Sequence, residues 1–185
     1  MAVRPVLRLG DPRLRTVASP VPEEQFGSAL LLSLITDLRD TMAALAGAGL
    51  AAPQIGVPWR VVLYGITSNP RYPEAPPIPE TVLVNPQLTA VGTTTQLGWE
   101  GCLSVPGLRG RVARWQTVHM RWRDPFGKGH EAMVEGFHAR VVQHECDHLE
   151  GLLFPDRLFD PLALAGEVRE EMAKKPVTGF EPATY

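Results

Sequence analysis

From Ser28 to Leu45 the apolar residues Leu31, Leu34, Ile35, Leu38, Met42 and Leu45 return at helical spacing, while Ser33, Asp37, Asp40 and Thr41 fall mostly off that stripe. This is the pattern of an amphipathic helix, and Gly47 and Gly49 stop it. Trp59 to Ile66 (WRVVLYGI) is β-branched and apolar throughout and predicts a strand. Thr81 to Val91 predicts another, with Pro86 marking an edge or a bulge. In Val118 to Arg123, apolar Val118, Met120 and Trp122 alternate with polar His119, Arg121 and Arg123, the period of a half-buried strand. Asp124-Pro125-Phe126-Gly127 then turns the chain into a second strand from His130 to Glu135. Ala139 to Glu150 reads as helix, and Pro161 to Lys175 as a last helix before a frayed tail, residues 176–185. Strands in the middle with helices at both ends predict an α+β fold in one domain, residues 1–185. In it, antiparallel sheets pack around one buried helix, with an N-terminal amphipathic helix and a C-terminal helix.

Composition narrows this picture. The 185 residues include 17 Gly and 18 Pro, which favours many turns over a helical bundle. Five prolines between Ser68 and Pro79 mark a surface loop. The Arg- and Pro-containing first twenty residues read as an extended arm. A net charge of −2 gives no general reason to expect nucleic acid, and no specific nucleic-acid motif occurs. The chain opens without a signal-peptide pattern, and its longest apolar stretch, Ala29 to Leu38, is too short and too polar to span a bilayer. A cytoplasmic protein without membrane association is expected. The two cysteines fit free thiols in a reducing compartment.

Chemistry concentrates in Gln143 to His148, QHECDH. His144 and His148 stand at i and i+4, about 40° apart on a helix with about 100° per residue, so both imidazoles reach one metal ion. Glu145, one step round, is placed to handle a water proton. Val142, Cys146 and Leu149 form an apolar stripe on the other side and anchor the helix. His119, His130 and His138 lack ligand spacing and read as surface or packing residues. A catalytic divalent site takes a third protein ligand. Two candidates stand: Cys102 in WEGCLSVPG, or a downstream carboxylate, Glu167 or its neighbours Glu170 and Glu171.

Gly47 to Gln54 (GAGLAAPQ), Glu100 to Ser104 (EGCLS) and Gln143 to His148 (QHECDH) together resemble the three signature segments of the peptide deformylase family, in the right order and at similar separations. The resemblance runs from the N-terminal arm to about Leu158. It implies a metal held by Cys102, His144 and His148, with Fe²⁺ as the natural ion and Zn²⁺, Ni²⁺ or Co²⁺ able to replace it. It implies Glu145 as proton shuttle, and the Gln54 side-chain amide and the Leu103 backbone N–H facing an oxyanion. The substrates implied are N-formylmethionyl peptides and nascent chains, with a transient ribosome contact through the C-terminal region. There Glu167, Glu170 and Glu171 offset Arg169, Lys174 and Lys175.

Around that centre, Gly47 and Gly49 let a peptide backbone approach, and Gly49-Leu50 can pair with it strand-fashion. Val141, about 60° from His144 on the helix wheel, lines the pocket for the methionine side chain. Glu100 and Gly101 frame the cleft, Glu100 in an ion pair with Arg109. Arg140 packs its stem there and sends its head to solvent. The rival readings are a zinc endopeptidase using His144, His148 and Glu167, and a module that binds formylated peptides without cleaving them.

Overall fold

The computed structural model describes residues 2–67 and 76–159 and the backbone of the strand at 165–166. The expected tail 176–185, residues 68–75 of the proline-rich loop and Glu167 lie outside the described residues.

Helix α1 spans Ala29–Ala44. Ser28 caps it, its hydroxyl accepting from the Leu31 N–H at 3.2 Å. The buried stripe is Leu31, Leu34, Ile35, Leu38, Thr41 and Met42. The strands follow as β1 (Gly49–Ala51), β2 (Val61–Ile66), β3 (Ile78–Ala90), β4 (Thr95–Cys102), β5 (Val105–Trp115), β6 (Thr117–Arg123) and β7 (Gly129–Glu135). Helix α2 covers Gly136–Leu149, and β8 is the short Ala165–Gly166. One sheet runs β1-β2-β3-β6-β7 and the other β4-β5-β8, with every pairing antiparallel.

The large sheet is covered on both faces. On one, Val62, Tyr64, Leu83 and Val118 pack with Val142, Cys146 and Leu149 of α2. On the other, Val61, Leu63 and Val84 pack with Leu31, Leu34 and Leu38 of α1. Burial on both sides explains why the β2 sequence is apolar without alternation. Pro86 sits where the β3–β6 register shifts, between Val84 and Gln87, inside a central strand. It therefore marks a bulge and not an edge. The Asp124 carboxylate accepts the Phe126 and Lys128 N–H groups at 2.9 and 3.0 Å, closing the turn into β7.

One expectation needs correction. The C-terminal helix is not continuous: Ala165 and Gly166 pair as strand with Arg109 and Leu108. The rest of that segment lies outside the described residues. The stretch 95–115, to which the sequence analysis assigned no element, forms the β4–β5 hairpin. Its inward positions are Gly98, Glu100 and Cys102 on β4 and Gly110, Val112 and Arg114 on β5. The alternation is present, but small and charged residues carry it, so hydrophobicity does not reveal it.

Candidate metal centre

Three segments distant in sequence meet where α2 passes between β1 and the β4–β5 hairpin. The cleft there encloses about 530 Å³, including its open mouth. Gly47, Gly49, Gln54, Gly101, Cys102, Leu103, Val141, His144 and Glu145, all expected from the sequence, line it. The N-terminal arm locks two of these segments together: Leu7 N–H donates to the Gln54 carbonyl at 2.8 Å, and Leu9 N–H to the Ser104 carbonyl at 2.7 Å.

The possible ligand atoms of Cys102, His144 and His148 all lie within 4.8 Å of one another. They form the one such buried cluster among the described residues. Cys102 ends β4, and its Sγ stands 3.3 Å from His148 Nε2. Ser104 N–H and Gln54 Nε2 also donate to that sulfur, at 3.4 and 3.5 Å. The imidazoles of His144 and His148 meet nearly edge to face, 5.2 Å between centroids. His148 Nδ1 has no hydrogen-bond partner, although it is buried. Burial pushes the His148 pKa down, which favours the neutral ring.

His144 is set differently. Its Nδ1 meets Glu100 Oε2 at 2.9 Å, which fixes the ring and leaves the second nitrogen facing the cluster. Burial works against charge on this ring, but the Cys102 sulfur and the Glu100 carboxylate outweigh it, and its pKa rises. Glu100 is itself 3% exposed. Burial alone would protonate it, yet the Arg114 guanidinium, bidentate at 2.9 Å and 2.9 Å, holds it ionised. Arg114 also reaches Asp147 on α2, and Arg157 clasps the same carboxylate. The cations over Glu100 are Arg114 and Arg140, not the expected Arg109. Breaking one partner of such a buried network costs about 3–5 kcal/mol.

Glu145 points into the cleft from α2. Its Oε2 is buried without a partner, and burial pushes its pKa up to about 7. Gly49 makes that seat: a Cβ there would stand 2.6 Å from the Glu145 carboxyl carbon. Gln54 is anchored through its oxygen, which accepts from Ala51 N–H at 2.8 Å, so its amide nitrogen is turned toward Cys102 and Ser104. The Leu103 side chain packs beside Gly47. Cys146 lies on the opposite face of α2 in the apolar cluster, as expected. His119, His130 and His138 pair with Glu131, Asp124 and Tyr64, away from the cluster.

Sequence reasoning missed Ser104, Arg114, Asp147, Trp99 and Phe137, of which Ser104 and Asp147 stood inside the recognised segments EGCLS and QHECDH. It also misplaced Arg140, whose side chain is 4% exposed and bonded to Glu100 and the Val112 carbonyl inside the protein.

The sequence model of the polypeptide deformylase family matches residues 3–162. Peptide deformylase 1 of Prochlorococcus marinus is 59% identical over 161 residues, covering 86% of this chain and 83% of that protein. Peptide deformylase 2 of Pseudomonas syringae pv. tomato is 51% identical over 158 residues, covering 85% and 88%. Among solved structures, the Met-Ala-Ser-bound class I type b peptide deformylase from Acinetobacter baumannii superposes with a TM-score of 0.82 at 40% identity, covering 85% of this chain and 99% of that one. A peptide deformylase from Legionella pneumophila gives 0.73 at 38% identity, covering 94% and 93%. Sequence and architecture thus agree along nearly the whole described chain, and the protein belongs to the peptide deformylase family, metal-dependent hydrolases that remove the formyl group from nascent peptides.

Proposed function

We propose that Cys102, His144 and His148 hold one divalent ion and that Glu145 moves the proton in hydrolysis of the formyl amide on an N-terminal methionine. The observation that carries this reading is a sulfur from β4 and two imidazoles from α2, with ligand atoms mutually within 4.8 Å, beside a buried and unpartnered carboxylate oxygen. Two imidazoles and one thiolate suit Fe²⁺, and equally Zn²⁺, Ni²⁺ or Co²⁺, with Fe²⁺ the natural occupant. Such an ion, when bound, brings the acidity of water toward pH 7 and draws charge from the formyl oxygen.

The chain's own groups do the rest. Glu145, with its pKa near neutrality, takes a proton from the attacking water and returns it to the departing amine as the C–N bond breaks and formate forms. The Gln54 amide, fixed through Ala51, and the Leu103 N–H donate to the oxyanion, each such donor being worth about 2.7–4 kcal/mol. Glu100 touches no peptide in this scheme; it orients His144. β1 is the outer strand of its sheet, so Gly49 and Leu50 receive the peptide backbone in strand fashion, with Gly47, Gly101 and Val141 around it.

The Met-Ala-Ser complex of the Acinetobacter baumannii relative supports N-terminal methionyl peptides as ligands of this cleft. Nascent chains at the ribosome, in the cytoplasm, are the corresponding natural substrates. No helix among the described residues is long and apolar enough to cross a membrane. Residues 1–185 form one catalytic domain, a reading that the family match over residues 3–162 supports.

The test is formate release from formyl-Met-Ala-Ser by the full chain loaded with Fe²⁺ under anaerobic conditions. Stoichiometric formate is expected. Tight binding without formate would instead favour a formyl-peptide binding module, and cleavage of internal peptide bonds an endopeptidase.

A further inference from the structure

The N-terminal arm reaches the cleft through its backbone. In an extended chain alternate N–H groups point the same way, and Leu7 and Leu9 are two apart. Leu7 N–H donates to the Gln54 carbonyl at 2.8 Å and Leu9 N–H to the Ser104 carbonyl at 2.7 Å. Residues 7–9 thus bridge the two segments that carry the oxyanion donors, Gln54 and Leu103. Cys102 pairs with Val105 across the end of the β4–β5 hairpin, which leaves Leu103 and Ser104 as its tip. A connecting tip is ordinarily exposed and mobile, yet Ser104 is 0% exposed. Side chains anchor the arm in both neighbouring clusters: Val6 packs with the one that holds Leu50 and Ile55, and Leu7 with the one that holds Cys102 and Val105. Arg4 fixes its start, the N–H donating to Thr41 Oγ1 at 2.9 Å and the guanidinium to Asp37 at 3.1 Å. Leu9 itself is 46% exposed, so its backbone and not its side chain serves the tip.

Resting on the deformylase reading above, we propose that Leu9 and Leu7 are positioning residues: through their N–H groups the arm acts as a strut that holds the hairpin tip beside Gln54, so that the Leu103 N–H and the Gln54 amide converge on one oxyanion. Gln54 Nε2 also reaches Ser104 Oγ at 3.0 Å, and the arm holds together the two segments that make this contact. Donors aimed in advance need no reorganisation when charge develops, and a donor on a loose tip loses that advantage. The charge they answer arises only in the reaction, so the strut acts on kcat and not on peptide binding.

The experiment compares the wild type with Leu9→Pro, which deletes the N–H while its fixed φ stays compatible with an extended chain. Formate release from formyl-Met-Ala-Ser gives kcat and KM of the metal-loaded full chain, and calorimetry gives the affinity for Met-Ala-Ser. Relaxation of ¹⁵N in the Zn²⁺-loaded chain gives the order parameter of the Leu103 N–H. Leu9→Pro is expected to lower kcat about tenfold to a hundredfold, with KM, Met-Ala-Ser affinity and metal content within about twofold of the wild type. The Leu103 order parameter should fall from about 0.85 toward about 0.6. Leu9→Ala restores the donor and should recover turnover. Leu9→Gly keeps the donor but loosens the arm, so kcat and the order parameter must fall together in it; it decides the matter if Leu9→Pro does not fold. An unchanged kcat in folded Leu9→Pro overturns the proposal. Parallel losses of kcat, peptide affinity and metal overturn it as well, since they mark a general loosening. Absence of formate from the wild type, with order at Leu103 still following residue 9, overturns the deformylase reading while upholding the strut.

Discussion

Helix α2 shows the protein two faces, and both are buried. Toward the five-stranded sheet it presents Ala139, Val142, Cys146 and Leu149, packed with Val62, Tyr64 and Leu83. Toward β1 and the β4–β5 hairpin it presents His144, Glu145 and His148. The apolar face is complete by itself. The polar face is not: Glu145 Oε2 and His148 Nδ1 have no partner, and His144 is held only because Glu100, Arg114 and Arg140 form a buried ion cluster behind it. The two cysteines repeat the contrast. Burial among apolar groups pushes the Cys146 thiol pKa up and leaves it inert, whereas the Cys102 sulfur accepts from Ser104 and Gln54 and meets His148. Equal depth therefore says little about role; the polar groups that surround a side chain decide it.

Substitutions on the two faces should separate cleanly. The largest effect is expected of Cys102→Ser. Loss of even an outer partner of a ligand weakens metal binding about 10–100-fold, so loss of the ligand itself should exceed about 100-fold, read by metal titration, with turnover lost as well. Glu145→Gln should keep the metal but lower formate release by about 10²–10⁴-fold, because the proton carrier is gone while the ligands stay; an equal rate would mean that another base operates. On the apolar face, Cys146→Ala should cost about 1–2 kcal/mol of stability in chemical unfolding and leave formate release and metal content unchanged.

The smallest effect concerns His138, which shares the Cys146 stripe and meets Tyr64 at 3.1 Å. Burial lowers its folded pKa below 6.5, so the unfolded chain takes up the proton first. Its contribution to stability is complete above the unfolded pKa and declines as the pH falls through 6.5 toward the lower folded pKa. His138→Gln should flatten the fall of the melting temperature in that window. An unchanged slope would assign the pH dependence to other groups.

Legibility followed the same division. α1, β2 and the β6–β7 hairpin were readable because apolar burial repeats with a helical or strand period in the sequence, and Ser28 and Asp124 supplied the cap and the turn. The β4–β5 hairpin was not, because its inward positions hold Gly98, Glu100, Arg114 and other residues that read as surface or turn. Arg140 was misjudged for the same reason. A charged side chain on a helix is expected to reach water unless something inside answers it, and the answering carbonyls of Gln96, Gly98 and Val112 lie more than twenty-five residues away in the chain.

What the sequence by itself determined is local: which segments coil or extend, and that two imidazoles four residues apart share one side of α2, since both follow from the repeat of the backbone. Only the tertiary structure decided which cations keep Glu100 ionised and which way Arg140 turns. Those depend on electrostatic and hydrogen-bond partners that become neighbours when the hairpin closes over the helix, and no periodicity along the chain encodes them.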